Sequence, residues 1–314
     1  NRTGLKLILD FIAFMHIAIT LWKIKPDYIL SYTIKPVIYG TLAAKMVGIK
    51  HRFALITGLG SVFNEGKSKG GRFLLFIVKC MYKVSLLSAE KVFFQNPDDM
   101  ELFRKCKIAS TLQSCVINGS GVDLDYYKFS NPPSKISFLL LARLLNSKGV
   151  RIYFEAAQAI KSIYPDIEFS LAGEIDNLNN DSISRDELDS WIKGKIINYY
   201  GQLPDVRTAI ANCGIYVLPS FYREGVPRSI LEAMSIGRAI ITTNTPGCRE
   251  TVVDGENGYL IAPQSVSKLV EAMMKFVNRP ETIRTMGVKS RGVAKEKYDV
   301  HKVNKEMLRI MGIK

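Results

Sequence analysis

The sequence predicts an α/β protein built from two similar Rossmann-like domains, and two observations carry that reading. From Ile136 onward six short apolar runs alternate with helix-period segments, and the same alternation, with four runs, comes before residue 131. Between the halves stands Asn131-Pro132-Pro133-Ser134, and tandem prolines interrupt both a helix and a central strand. Strands alternating with helices imply βαβ units, a parallel sheet covered on both faces and right-handed crossovers. Ligands of such sheets bind near the carboxyl ends of the strands. With 314 residues, 47% of them hydrophobic, the chain can bury two real cores.

In the first half, Tyr28–Ser31, Arg52–Thr57, Lys91–Gln95 and Cys115–Asn118 read as strands, with helices at 36–47, 70–88 and 97–105. In the second half the strands are Ile136–Ala142, Ile167–Ala172, Ile196–Tyr200, Ile215–Leu218, Ala239–Thr242 and Tyr259–Ile261. Helices are expected between them at 149–163, 184–193, 204–212, 228–236 and 247–253, and after Pro280 to the end. The apolar run Leu5–Trp22 is interrupted by Lys6, Asp10 and His16. It is too short and too polar for a membrane span, and Trp22-Lys23-Ile24-Lys25-Pro26 offers no small-residue cleavage site. It reads as a buried or interfacial helix. The chain opens on Asn, and with four strands before the linker against six after it, the first domain is expected to lack its opening strand.

Composition removes several function classes. Five scattered cysteines without a Cys-x-x-Cys, and three distant histidines, argue for a reducing compartment and against a zinc site or disulfide frame. Residues 1–135 carry 19 Lys+Arg against 9 Asp+Glu, so the basic charge concentrates in the first half. Such a half suits nucleic acid, anionic lipid or a phosphorylated substrate. No nucleic-acid recognition signature accompanies it, which excludes nucleic acid as the expected partner.

The chemistry concentrates at strand ends. In "YREGVPRSILEAMSIGRAIIT", Glu224 precedes a Gly-Val-Pro turn and Glu232 follows it among Ile230, Leu231, Ala233 and Met234. A carboxylate among apolar residues needs donors. Pro227 suits a first helical turn, so the Gly225 and Val226 amides lie just ahead of a helix, where an anion or sugar oxygens are favoured. Glu232, about a turn in, can accept the two hydroxyls of a vicinal diol; solvated loop and helix glutamates are the plain alternative. In "LLLARLLNSKGV", Arg143 and Lys148 follow the first strand of the second half, a fork and a mobile ammonium suited to a diphosphate. Gly173 and Gly201 end the next two strands, where backbone can approach a ligand.

The segment "VLPSFYREGVPRSILEAMSIGRAIITTNTPGCRETVVDGENGYLI" resembles the retaining, nucleotide-sugar-dependent glycosyltransferases of family 4, which have the GT-B fold. "SYTIKPVIYGTLAAKMVGIKHRFALITGLGSVF" and "VFFQNPDDMELF" are similar to bacterial O-antigen and capsule members. The resemblance implies two Rossmann-like domains facing a central cleft. Residues 1–131 would form the acceptor domain, 134–290 the donor domain, and 291–314 a C-terminal helix packing back toward the first domain. It implies transfer from a UDP-sugar, a UDP-N-acetylhexosamine or UDP-hexose, to a lipid-linked saccharide at the inner face of the bacterial membrane, with no cofactor. Glu232 would then bind the ribose hydroxyls, Arg143 and Lys148 the diphosphate, and Glu224 with Gly225 and Val226 the transferred sugar. Leu203 is a candidate for the base contact.

Departures accompany the match. Thr57-Gly58 stands where many members carry a histidine that touches the donor sugar, and Ala142 where Gly is common. The family's glycine-rich acceptor loop is not within these residues; Gly58 and Gly60 in "ITGLGSVF" are acceptor-side candidates. Asp123-Leu124-Asp125 spells a manganese-binding pattern of another glycosyltransferase architecture, against which stand turn and capping aspartates. "GKSKGGRFLLFIVKCMYKVSLL" reads either as a membrane-surface helix or as a first-domain helix with basic solvent positions. An epimerase of the same fold and an inactive donor-binding fragment are the alternative functions.

Overall fold

The apolar runs expected as strands pair in parallel throughout the computed structural model, which describes residues 7–60, 63 and 69–313, and the central strands of each sheet are the buried ones. Residues 5, 6 and 66–68 of the two apolar-basic stretches lie outside them. Two units separate by their contacts. The first holds the chain through Gly119, the segment Arg223–Val226 and the residues from Asn304; the second holds Ser120–Tyr222 and Pro227–Val303.

The first unit contains α1 (Leu7–Ile24), β1 (Tyr28–Tyr32), α2 (Ile34–Met46), β2 (His51–Ile56), α3 (Lys69–Leu86), β3 (Lys91–Phe94), α4 (Pro97–Lys105) and β4 (Ser114–Val116). The second contains β5 (Ser137–Leu141), α5 (Val150–Lys161), β6 (Glu168–Ala172), α6 (Arg185–Lys193), β7 (Asn198–Tyr199), α7 (Arg207–Ala211), β8 (Ile215–Leu218), α8 (Arg228–Ile236), β9 (Ala239–Thr243) and β10 (Gly258–Ile261). Then follow α9 (Val266–Asn278), α10 (Glu281–Lys297) and α11 (Val300–Met311). Sheet order is β1-β2-β3-β4 in the first unit and β10-β9-β8-β5-β6-β7 in the second, all pairs parallel.

Period-two alternation assigns the faces of the first sheet. Ala54 and Ile56 of β2 pack with Val37, Tyr82 and Phe103 of the helices on one side. Phe53 and Leu55 turn the other way and meet Phe93, Ile117 and Met311. In the second unit Phe138, Phe169, Val217 and Ile241 form one core with Tyr153, Trp191 and Phe276. α1 inverts the usual pattern: it buries Asp10, which accepts a 2.7 Å bond from Lys35 Nζ, and exposes Phe11, Ile19 and Trp22.

One expected helix is corrected. Residues 247–253 form a single 3-10 turn, Arg249–Thr251, because Val252 is already extended and the preceding Gly247 has a left-handed φ of 79°. The third strand of the second half also shortens, to Asn198–Tyr199 at the sheet edge.

Candidate functional site

The second sheet reverses its strand order between β5 and β8. From β5 the chain steps outward to β6 and β7, then returns to β8 on the other side and proceeds to β9 and β10. The carboxyl ends of β5 and β8 thus flank a crevice of the kind that binds ligands in open α/β sheets. Arg143 leaves β5 there, and a 3-10 turn, Asn146–Lys148, leads into α5. The loop after β8 folds onto that turn: the amides of Phe221 and Tyr222 donate to Ser147 O at 2.9 and 3.0 Å. Lys148 Nζ lies 5.1 Å from the centre of the Tyr222 ring. Arg143 Nη1 donates to Asp176 Oδ2 at 3.0 Å while its side chain stays 36% exposed, so one edge of the fork is oriented and the rest faces outward. Leu203 is half-buried in the turn after β7.

Glu232 lies on α8 between Leu231 and Ala233, both fully buried, and keeps only 12% of its side chain exposed. Within the chain the Tyr127 hydroxyl donates to it, and Arg228, one turn earlier, forms an ion pair with Nη2 3.7 Å from Oε1. Burial raises the pKa of the Glu232 carboxyl above its ordinary value, and the Tyr127 bond and Arg228 charge oppose that rise. The Tyr127 hydroxyl is pushed up in turn, by its own burial first and by Glu232 second. The carboxylate therefore has a fixed orientation and a small open face, which suits two neighbouring hydroxyls.

In the first unit, the segment Arg223–Val226 carries Glu224 and lies against the carboxyl ends of β2 and β3. The amide of Gly60 donates to Arg223 O at 3.3 Å, Asn96 Nδ2 to Glu224 O at 3.3 Å, and the Val226 amide to Gln95 Oε1 at 3.0 Å. Gly58 (φ +108°) approaches so closely that a Cβ there would collide with the Gly225 amide. The backbone of Gly58 and Gly60 thus serves the Glu224 segment, and a ligand contact at the Val226 amide would have to replace the Gln95 bond.

Asp123 and Asp125 are exposed, and Asp123 Oδ1 accepts the amides of Asp125 and Tyr126, both at 2.9 Å. Those bonds hold the Asp123 carboxyl below its usual range. Among the described residues no three His, Cys, Asp or Glu side chains are grouped to hold a metal ion.

Sequence reasoning did not find Tyr127, Arg228, Asp176, Gln95, Asn96 or Asp99. Two had a local signal: Arg228, four residues before Glu232 on a helix, and Asn96, a capping residue just ahead of Pro97 and three before Asp99. The others are brought to their partners by the fold.

Comparison with known proteins bears on this arrangement. Residues 126–293 match the family model for glycosyl transferases group 1, and residues 3–96 that for glycosyl transferase 4-like proteins. The chain is 30% identical over 272 residues to the N,N'-diacetylbacillosaminyl-diphospho-undecaprenol alpha-1,3-N-acetylgalactosaminyltransferase of Campylobacter jejuni, covering 82% of this chain and 69% of that protein. It is 26% identical over 296 residues to the UDP-Gal:alpha-D-GlcNAc-diphosphoundecaprenol alpha-1,3-galactosyltransferase of Escherichia coli, covering 88% and 72%. The fold is similar to that of sucrose-phosphate synthase from Thermosynechococcus elongatus, with a TM-score of 0.80 at 20% identity over 95% of this chain and 76% of that one. Anabaena HepE in complex with UDP gives 0.76 at 19% identity, over 95% and 81%.

Proposed function

We propose, from the premise that this chain belongs to the group 1 glycosyl transferases and is a GT-B enzyme of the family 4 type, that it moves a sugar from a UDP-sugar to a lipid-linked saccharide. The transfer retains anomeric configuration and needs no metal ion. The donor is a UDP-N-acetylhexosamine or a UDP-hexose. The relative from C. jejuni carries an undecaprenol-linked acceptor in its name, and that from E. coli a UDP-sugar donor, which supports the reading.

One observation carries it: Arg143 and Lys148 follow β5, and Glu232 lies in the second turn of α8, the helix that follows β8, with β5 and β8 the strands at which the order reverses. Arg143 and Lys148 hold the diphosphate, and the first amides of α5, which starts two residues after Lys148, add the favourable end of a helix dipole. Glu232 takes the ribose diol, and Leu203 lies against the base. Glu224, with Gly225 and Val226, grips the transferred sugar.

These groups account for the chemistry without a protein nucleophile. The bond from the anomeric carbon to the β-phosphate oxygen breaks as the acceptor oxygen bonds that carbon on the same face. The departing phosphate oxygen takes the acceptor proton. Arg143 and Lys148 stabilise the charge that grows on the diphosphate, and the remaining catalysis is positioning. Residues 134–290 serve as the donor domain and 1–131 as the acceptor domain.

The acceptor's lipid places the enzyme at the inner face of the cell membrane as a peripheral protein. Among the described residues no helix is long and apolar enough to cross a membrane. α3 exposes Arg72, Phe73, Phe76 and Lys83 along one face, with Leu87 just past its end, basic and apolar together, which complements an anionic bilayer surface. Incubation with labelled UDP-sugars, with and without bacterial lipid extract, tests the function. Label entering the lipid phase is the expected result. Label that stays on the nucleotide as an epimer, or bound donor without transfer in any extract, would overturn it.

A further inference from the structure

We propose that Gln95, Asn96 and Asp99 are positioning residues that set the working geometry of Glu224. The inference rests on the reading that Glu224 grips the transferred sugar, and adds the machinery that holds it there.

The three residues stand at the carboxyl end of β3 and the start of α4, and each is at least 96% buried. Asn96 caps α4: its Oδ1 accepts the Asp99 amide at 2.8 Å. Its Nδ2 donates to Asp99 Oδ2 at 3.1 Å and to Glu224 O at 3.3 Å. Asp99, 1% exposed, accepts Arg223 Nε on Oδ1 at 2.8 Å. Gln95 accepts the Val226 amide at 3.0 Å, and a Cβ on Gly225 would collide with Gln95 Oε1. The turn is thereby held at the Arg223 side chain, the Glu224 carbonyl and the Val226 amide, with Gly225 fitting only because it lacks a side chain.

Stability alone does not call for this arrangement. A buried ion pair loses much of its attraction to desolvation, and apolar packing of the same volume often serves as well. A polar clasp with defined directions instead fixes a carboxylate-bearing turn to within a fraction of an ångström, which a sugar contact needs. Asp99 and Gln95 touch the turn and need not touch substrate.

The test is calorimetry on the full chain with UDP and with whichever of UDP-N-acetylglucosamine, UDP-N-acetylgalactosamine, UDP-glucose and UDP-galactose binds most tightly. Glu224→Gln comes first. It should weaken the UDP-sugar at least fivefold and UDP less than twofold; equal effects on both would overturn the reading of Glu224 and this proposal with it. Given that selective loss, Asp99→Asn and Gln95→Met should reproduce it. Combining either with Glu224→Gln should add less than twofold to the loss of Glu224→Gln alone, because all act through one group. Full additivity would show a merely structural role. If Glu224→Gln is selective while both clasp variants, folded by circular dichroism, bind the UDP-sugar within twofold of the unaltered chain, the proposal fails and the Glu224 reading stands. Gln95→Met leaves the Asp99–Arg223 pair intact, so it remains informative if Asp99→Asn does not fold.

Discussion

The Tyr127 hydroxyl donates to the Glu232 carboxylate, and this bond joins the stretch leading into β5 to the buried side of α8. Burial raises the Glu232 pKa from its ordinary 4.5, and Tyr127 holds part of that rise back. If Glu232 receives a ribose diol, it must be ionised to accept both hydroxyls. UDP affinity should therefore be full above the folded-state pKa and fall as pH drops through it, beginning at a higher pH than an ordinary glutamate would give. Tyr127→Phe removes a group that lowers the pKa, so the acid limb should move to higher pH. Glu232→Gln should abolish the limb and weaken UDP by about 1.5–3 kcal/mol, the range for hydrogen bonds to a charged group. Folding has the opposite sign: with the folded pKa raised, the Glu232 contribution to stability is full below 4.5 and is lost as pH rises through the folded value. Titration calorimetry across pH, beside melting curves, separates the two.

Arg143 is oriented by Asp176 and keeps its outer edge exposed. Arg143→Ala should cost roughly 1.5–3 kcal/mol of UDP affinity, the range for a charge-assisted contact. The loss should be much smaller for UMP, which lacks the second phosphate. Equal losses for the two nucleotides would show that Arg143 lies elsewhere on the donor.

If Arg143 and Lys148 hold the diphosphate as proposed, they supply the positive charge that a metal ion would otherwise bring, and transfer should proceed in EDTA at an unchanged rate. Loss of activity in EDTA with recovery on manganese would return Asp123 and Asp125 to consideration.

Arg238 is fully buried with no carboxylate partner among the described residues; its guanidinium donates to the carbonyls of Ser130, Cys213 and Ile236, and to Ser130 Oγ at 2.8 Å. Burial lowers its pKa. Arg238→Ala should orphan these carbonyls and leave a void, destabilising the second unit by about 3 kcal/mol or more. A denaturant melt measures it; a loss under about 1 kcal/mol would mean that water replaces the guanidinium at little cost.

The α3 face predicts binding to vesicles that contain anionic lipid, weakening as salt rises. Phe73→Ser combined with Phe76→Ser should lower co-sedimentation several-fold while UDP binding, assigned to the second unit, stays put. Equal binding to purely zwitterionic vesicles would remove the electrostatic part of the argument.

The alternation of apolar runs and helical segments was enough to read two parallel α/β halves, because a strand buried on both faces must be apolar along its length. Helix 228–236 was legible to the residue, bounded by Pro227 and Gly237, whose φ of 89° ends it. Residues 247–253 were not, since local composition allowed a helix and only the extended Val252 and the turn at Gly247 exclude it.

By itself the sequence determined the fold class and the placement of Arg143, Lys148 and Glu224 after strand ends and of Glu232 on the helix that follows β8, because these follow from periodicity and short-range spacing, while the family was legible through the resemblance of its motifs. Tertiary structure alone decided that Tyr127 meets Glu232, that Asp176 orients Arg143, and that Gln95, Asn96 and Asp99 hold the Glu224 turn. Partners such as Asp99 and Arg223 are 124 residues apart. A buried polar group must find a partner wherever the chain returns to it, and sheet order, not sequence distance, sets where that is.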